Sequence, residues 1–259
     1  MNKKFFFLIL FLFVFSYTYG QGELIEEQKK TLFRDERSFG ISINSDGFGG
    51  NFRYGEFIDA YNKKLFYGDI SYIRHQKEVK ITNSSFDSQK RFVFGKKNLA
   101  VVLRGGVGWQ RRRFPKLDKG GVEINFFTLS GGSFAILKPI YYEVAYRESQ
   151  LMIVKEEKFN INNRNHRDGY IFARSSFLEG FSELKIIPSV FLKAGVNFEF
   201  SKKNDDVQAL EGGFLMELFL KKVEIMATEK NKQFFFTLFL SYSFGKILKR
   251  YVSEEEDEE

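Results

Sequence analysis

Several residue types that proteins commonly rely on are scarce in this chain. Its 259 residues include no cysteine, three prolines and two histidines, and after residue 20 no stretch is apolar over 18 consecutive positions. The lack of cysteine excludes disulfides, thiolate metal ligands and a lipid anchor on an N-terminal cysteine. The lack of long apolar runs excludes a membrane helix in that part of the chain, because such a helix needs about 20 apolar residues.

The first twenty residues have the pattern of an export signal. Two lysines precede an apolar core at 5–15, and Thr18 and Gly20 place small residues at the −3 and −1 positions of a cleavage site. This apolar core is too short for a transmembrane anchor, which is the competing interpretation. We therefore expect export and cleavage before Gln21.

Aromatic residues and positive charge are abundant instead. Aromatic residues make up 18% of the chain, including 33 phenylalanines and 12 tyrosines, and the formal net charge is +7. A basic exported protein favours anionic surfaces such as phosphorylated lipid. Nucleic acid is not an expected partner, because the chain is exported and carries no nucleic-acid-binding motif.

Apolar and polar residues alternate with period two through much of the chain. In VFLKAGVNFEF, Val190, Leu192 and Phe198 share one face, while Lys193 and Glu199 lie on the other. Alternation of this length predicts β-strands. The same pattern gives eight main strands, near 36–44, 47–55, 64–74, 99–110, 121–135, 190–200, 209–220 and 233–244.

The strand count has one alternative. The alternation slips near Phe126 and Phe127, which suggests a β-bulge, and Gly131-Gly132 could be a turn that divides the long segment 121–146. A ten-stranded barrel is therefore the alternative to the eight-stranded one.

The polar faces separate a membrane barrel from a soluble sandwich. They mix charges of both signs with many glycines, which suits a narrow barrel interior where charges pair, while the apolar faces are rich in Phe and Tyr. We therefore predict an antiparallel transmembrane β-barrel with a lumen charge network. Its members are Arg53, Asp69, Arg104, Glu123, Lys193, Glu199, Glu211 and Glu217.

Loop lengths support the same architecture. The three longest segments between predicted strands, 75–96, 147–184 and 221–232, all fall on one side of an eight-stranded meander. Long outer loops, short inner turns and periplasmic termini are typical of outer-membrane barrels. The predicted organisation is a signal peptide at 1–20, a periplasmic lead-in at 21–35, the barrel at 36–246 and a disordered acidic periplasmic tail at 247–259.

The segment FFFTLFLSYSFGK is the predicted closing strand. It alternates with period two, and its aromatic residue Phe244 resembles the terminal signal that barrel insertion machinery recognises. Pairing this strand with the first one, near 36–44, would leave the sheet no free edge.

The blocks GFGGNFRYG, YIRHQKE, LRGGVG, FLKAGVNFEF and SYSFGK, in this order, resemble a family of outer-membrane β-barrel proteins from Bacteroidetes-type bacteria. The resemblance spans most of 38–246 and leaves the acidic tail outside. It implies a fold and the outer membrane of a Gram-negative cell as the compartment. It implies no catalytic residues, because the family has no assigned activity.

Candidate chemistry is sparse. His75 would serve a lipid-modifying enzyme only if a serine from another strand reached it, since Ser71 lies about 13 Å along the same strand face. His166 lies in the longest loop. Neither is predicted to be catalytic, and no metal or cofactor is expected. Lys90, Arg91, Lys96 and Lys97 could contact lipopolysaccharide phosphates. The alternative is that these basic side chains only extend to the membrane interface.

Three functions follow from these residues. The first is a non-enzymatic barrel that serves as a structural or accessory subunit of an envelope assembly or transport complex. Its partners would be outer-membrane lipid, lipopolysaccharide, the insertion machinery and other envelope proteins. The second is a barrel enzyme that modifies lipid A or phospholipid, and the third is a small passive channel.

Overall fold

The computed structural model describes residues 34–83, 91–116, 120–148, 151–167, 169–202, 205–227 and 231–249. The predicted signal peptide, nearly all of the predicted lead-in, Lys90 and the acidic run at the C-terminus lie outside these ranges.

The chain folds as a sequence of β-strands. In chain order they are β1 (Arg34–Asn44), β2 (Gly47–Phe57), β3 (Asn62–Ile73), β4 (Lys80–Ile81), β5 (Phe92–Val93), β6 (Asn98–Phe114), β7 (Glu123–Pro139), β8 (Tyr141–Glu148), β9 (Leu151–Lys158), β10 (Ile171–Arg174), β11 (Lys185–Glu199), β12 (Asp206–Phe219) and β13 (Phe234–Lys249). Among the described residues, one short helix, α1 (Arg164–Arg167), and one 3-10 turn (Phe181–Glu183) complete the secondary structure.

Eight of these strands close into an antiparallel barrel in the order β1-β13-β12-β11-β7-β6-β3-β2. The first and last strands pair from Arg34 opposite Lys249 to Asn44 opposite Phe239. Closure removes the free edges of the sheet, so every barrel strand has two neighbours. The eight-strand prediction is confirmed.

The ten-strand alternative and the predicted bulge are wrong. β7 runs unbroken past Gly131, and its register against both neighbours is continuous through Phe126 and Phe127. The alternation slips in the sequence because Phe127 and Leu129 are apolar yet point into the barrel. The one register shift among the described barrel pairs lies between Arg112 and Phe114.

The outer wall of the barrel is apolar and the inner wall largely polar. On β13, the alternating residues from Phe234 to Phe244 are exposed, whereas Thr237, Ser241 and Ser243 are buried inside. Phe244 packs against the outward ring of Phe39 on β1, across the strand pair that closes the barrel. Large outward side chains on the other strands include Ile41, Ile43, Phe48, Ile70, Leu103, Trp109, Phe134, Val190, Leu192 and Leu218.

Paired aromatic rings stand at both ends of this outer wall. We call the end of the barrel at which β1 begins and β13 finishes the inner end, and the opposite end the outer end. Tyr54 and Phe66, with ring centres 6.1 Å apart, lie toward the inner end. Phe48 with Tyr72 at 5.6 Å and Phe214 with Phe236 at 6.0 Å lie toward the outer end, and Phe39 with Phe52 at 5.0 Å lies midway along β1 and β2.

The connections differ in length between the two ends. The inner connections 58–61, 115–122 and 200–205 are short, while three of the four outer connections, 74–97, 140–184 and 220–233, are long and the fourth, 45–46, is a two-residue turn. The prediction treated 147–184 as a loop without structure. Instead, β8, β9 and β10 form a separate three-stranded sheet, which we call the outer sheet.

Helices play a minor part in this fold. Within the ranges given above, no helix is long and apolar enough to cross a membrane.

Glycine is required where neighbouring strands crowd inside the barrel. Gly106 and Gly131 face each other in the β6–β7 pair. A Cβ atom at Gly131 would lie 2.1 Å from the carbonyl oxygen of Gly105, and one at Gly106 would lie 2.9 Å from the ring of Phe191. These positions accept no side chain, and the space they leave is filled by Phe191.

Candidate functional site

The middle of the lumen is crossed by a buried ion pair between Arg53 and Glu211. The guanidinium donates two hydrogen bonds to the carboxylate, at 2.6 and 2.9 Å, and Asn197 donates a third at 2.8 Å. The Arg53 guanidinium also lies 4.7 Å from the ring centre of Phe127. The two-pronged geometry fixes both side chains across the barrel, from β2 to β12.

A second group of charges lies closer to the outer end. Arg104 on β6 bridges Asp69 on β3 and Glu217 on β12, with 2.8 Å from Nη2 to Glu217. Ser133 donates a hydrogen bond to Glu217 at 2.6 Å, and Ser71 donates one to Asp69 at 2.9 Å. Each carboxylate that Arg104 neutralises therefore also has a hydroxyl donor.

Three further ion pairs occupy the inner end. The atoms joined are Lys63 Nζ and Glu36 at 2.6 Å, Arg112 Nε and Glu123 at 2.8 Å, and Lys116 Nζ and Glu199 at 3.2 Å. The sequence interpretation missed Lys63 and Glu36. A signal for Lys63 was present, because it shares strand parity with the inward Asp69.

Lys193 has a different environment from the other lumen cations. Its ammonium donates a hydrogen bond to the Tyr67 hydroxyl at 2.8 Å and lies 4.1 Å from the ring centre of Phe239. In the part of the chain that the structure covers, no carboxylate forms an ion pair with it. The Tyr67 hydroxyl and the aromatic face of Phe239 are therefore its nearest stabilising partners.

Together these side chains form what we call the lumen network, and it contains equal numbers of both charges. The structure places all eight predicted lumen residues in it, and adds Glu36, Lys63, Arg112 and Lys116. Six cations thus face six carboxylates: Arg53, Lys63, Arg104, Arg112, Lys116 and Lys193 against Glu36, Asp69, Glu123, Glu199, Glu211 and Glu217.

Apolar side chains fill the space between and above these charges. One buried cluster lies inside the barrel and consists of Leu65, Tyr67, Phe127, Leu129, Phe191, Leu215 and Phe239. At the outer mouth, Val223, Ile225 and Met226 pack on inward residues of the strands, among them Ala100 and Leu137. The connection after β12 thus covers the outer mouth with an apolar layer.

The predicted phosphate contacts separate in the structure. Arg91 is exposed at the outer end, and Lys97 pairs with Glu224 at a half-exposed position. Lys96 is only 6% exposed, and its ammonium donates hydrogen bonds to Glu78 and Tyr72. Lys96 is therefore an internal ion-pair partner and is not placed to contact an external phosphate.

His75 has no catalytic partner among the residues that the structure describes. Its Nδ1 accepts a hydrogen bond from the backbone N–H of Lys77 at 3.2 Å, and no serine hydroxyl bonds to the ring. No carboxylate oxygen lies within ion-pair distance of it. Ser71 is committed to Asp69. The serine–histidine arrangement of the lipid-enzyme alternative does not form in these ranges.

His166 holds the turn that follows the outer sheet's second strand. Its Nδ1 accepts a hydrogen bond from the backbone N–H of Asn160 at 2.9 Å, and its ring packs against Phe159. Burial lowers the pKa of His166, with Glu157 opposing that effect. A neutral ring with an unprotonated Nδ1 is the form that this geometry requires, so His166 has a structural role.

Metal ligands do not cluster in the described ranges. No group of three or more histidine, aspartate or glutamate side chains is arranged there to hold an ion. The carboxylates of the lumen are occupied by arginine, lysine, asparagine and serine donors instead.

Solved barrel proteins are similar to this chain in shape. Ail, the attachment invasion locus protein of Yersinia pestis, has 8% identity and a TM-score of 0.39, covering 83% of this chain and 99% of Ail. Neisserial surface protein A has 9% identity and a TM-score of 0.40, and the match covers 85% of this chain and 97% of that protein. The N-terminal β-barrel domain of Pseudomonas aeruginosa OprF has 8% identity and a TM-score of 0.34, and the match covers 83% of this chain and 97% of that domain.

These similarities are too weak to carry an argument about this chain. No protein-family model and no curated protein sequence matches it. The barrel architecture rests on the closed strand order, and the function has to be inferred from the two walls and the two ends of the barrel.

Proposed function

We propose that this chain is a non-enzymatic outer-membrane β-barrel that displays a folded outer face as an accessory subunit of an envelope complex. The observation that carries the proposal is the contrast between the two walls. The outward residues are apolar along strands of 11–17 residues, while the inward residues form a filled lumen with balanced charges. Strands of about 9–11 residues suffice to cross a bilayer.

The filled lumen argues against a channel. The Arg53–Glu211 pair crosses the lumen, and Phe127 and Phe191 occupy the space beside it. An eight-stranded barrel has room for little more than its own side chains. In planar bilayers, the purified protein should therefore give no single-channel conductance, and steady conductance would support the channel alternative instead.

The outer sheet is the part of the molecule best suited to contact a partner. Its inner side packs on a buried cluster that includes Tyr142, Val144 and Ile171. On the opposite side, its edge strand β9 exposes Met152 and Val154, which share one face of the strand and are each more than half exposed. Adjacent exposed apolar residues of this kind are typical of protein contact sites.

The compartment and the route to it belong to the same proposal. An export signal at 1–20, a Gram-negative outer membrane and membership of a Bacteroidetes-type barrel family are supported by the sequence patterns described above. Phe244, the outward aromatic residue of β13, is where the insertion machinery would recognise the closing strand.

Affinity purification from native envelopes tests the display function. We expect the tagged full chain to co-purify with a second envelope protein in near-equal amount, and the paired change Met152→Ser with Val154→Ser, on one face of β9, to abolish that recovery. The control is Leu178→Ser, since Leu178 is an exposed apolar residue at the outer end but lies outside the outer sheet. Recovery of the tagged protein alone from native envelopes would contradict the proposal.

A further inference from the structure

A cleft of about 730 Å³ lies between the outer mouth of the barrel and the outer sheet. Its walls come from the turn after β1, the segment after β3, the short strands β4 and β5, and the ends of β7 and β10. We call it the outer cleft. It differs from the lumen because it opens at the outer end.

The outer cleft carries an excess of positive charge. Arg74, Lys80, Arg91 and Arg174 line it, and none of them forms an ion pair with another residue in the portion described. Arg74 donates one hydrogen bond to the carbonyl oxygen of Glu78, which leaves its other donors for a ligand. Four cations without counter-ions at one cleft favour an anionic ligand.

The two acidic residues that line the cleft accept hydrogen bonds from residues other than the four cations. Glu78 accepts a hydrogen bond from Lys96 at 2.6 Å and another from the backbone N–H of His75 at 3.1 Å. Asp46 accepts one from the Thr237 hydroxyl at 2.9 Å. Among the described residues, no ion pair joins either carboxylate to any of the four cations, and with Lys96 counted the cleft is lined by five cations and two carboxylates.

Apolar residues form the remainder of the cleft wall. Phe92 and Ile140 lie within it, while Phe48, Tyr72 and Leu99 belong to the outward face of the barrel strands and reach its edge. The cleft is thus continuous with the wall that we propose faces lipid. A ligand that fits has an anionic group for the arginines and a hydrocarbon portion for the outer wall.

We propose that the outer cleft binds the phosphate of a phosphorylated lipid in the outer leaflet, with an acyl chain along Phe48 and Tyr72; this rests on the proposed membrane position. Arginine suits this role because its planar guanidinium donates two hydrogen bonds to a phosphate. Arg91 was predicted to contact lipopolysaccharide phosphate, whereas Arg74, Lys80 and Arg174 were not, because the four are brought together by folding within the connection 74–97 and by its approach to the connection 140–184.

Lipid binding by the purified full chain in detergent micelles tests the assignment. The probe is rough lipopolysaccharide, compared with the same lipid after enzymatic removal of its phosphates, with phosphatidylglycerol and with inorganic phosphate. The variant combines Arg91→Gln with Arg174→Gln. The matched control combines Lys221→Gln with Lys222→Gln, because these two lysines are exposed at the outer end and lie outside the cleft.

We expect the cleft variant to bind lipopolysaccharide roughly tenfold or more weakly than the native chain, and the control to bind within about twofold. Removal of the lipid phosphates should weaken binding to a similar extent. Similar losses with phosphatidylglycerol would assign the cleft to anionic lipids in general. Equal binding by the cleft variant, equal binding of the dephosphorylated lipid, or binding of inorganic phosphate without lipid would overturn the proposal.

The same samples distinguish this failure from failure of the proposed function. A folded barrel migrates differently on gels before and after heating, so each variant can be checked for folding. Loss of partner recovery with intact lipid binding would overturn the display function alone. Lipid binding that no longer depends on the lipid phosphates or on the cleft arginines, with intact partner recovery, would overturn only the proposal that the cleft binds lipid phosphate.

Discussion

Replacing Glu211 by alanine should lower the free energy of unfolding by about 3–5 kcal/mol, because it leaves the Arg53 guanidinium buried without a counter-ion. Glu211 is 1% exposed and accepts three of the hydrogen bonds that hold the middle of the lumen. The measurement is chemical denaturation of the barrel in phospholipid vesicles, followed by the fluorescence of Trp109. The milder change Glu211→Gln retains the shape and should cost less.

The paired change Arg53→Met with Glu211→Leu is the control for this prediction. Removing both charges removes the uncompensated guanidinium, and apolar replacements of a buried pair are often neutral or stabilising. We expect the double variant to recover most of the loss seen for Glu211→Ala. A loss below about 1 kcal/mol for Glu211→Ala itself would show that the pair is solvated and that the lumen is open to water.

Replacing Leu240 by arginine should cost about 2–4 kcal/mol if that residue faces the middle of a bilayer. Leu240 is 53% exposed on the outward face of β13, between the rings of Phe236 and Phe244 along the strand. At an ordinary water-exposed position the same change would alter the free energy of unfolding by no more than about 0.5 kcal/mol. The predicted effect therefore depends on lipid contact.

Leu248→Arg provides the matched control on the same strand. Leu248 is an outward residue near the inner end, where a basic side chain reaches the interface and should cost only about 0–1 kcal/mol. Both variants are compared in the same vesicles by denaturation. Equal, small effects at the two positions would contradict the assignment of the outer wall to lipid.

The barrel itself could be predicted from the sequence because the period of two separates the two walls. Charged residues such as Arg53, Lys193 and Glu217 lie on one strand face while the opposite face is apolar, and they mark their own face as inward. The lengths of the connections then order the strands into a meander. These signals are local, so a single sequence carries them.

The prediction failed where inward residues are apolar. Phe127 and Leu129 share the inner face of β7 with Glu123, and alternation alone does not indicate on which side an apolar residue lies. The slip that they cause in the pattern was therefore mistaken for a bulge. A barrel interior filled partly by aromatic rings does not need a strictly polar inner face.

Contacts across the barrel and in the long connections also could not be predicted from the sequence. Lys96 was predicted to face lipid phosphates, but the connection that precedes it brings Glu78 within 2.6 Å of its ammonium. Similarly, the outer sheet depends on the pairing of β10 with β8 across more than twenty residues of chain. Both are long-range contacts whose geometry depends on the folded barrel beneath them.

Depth-dependent quenching of Trp109 fluorescence tests most directly whether the barrel spans a membrane. Trp109 is the single tryptophan, is 59% exposed, and points outward near the inner end of β6. In vesicles whose lipids carry bromine at different depths, we expect blue-shifted emission and the strongest quenching by bromine near the headgroups, where aromatic girdles lie. Emission typical of a fully hydrated indole, unquenched by bromine at any depth, would contradict a membrane-spanning barrel.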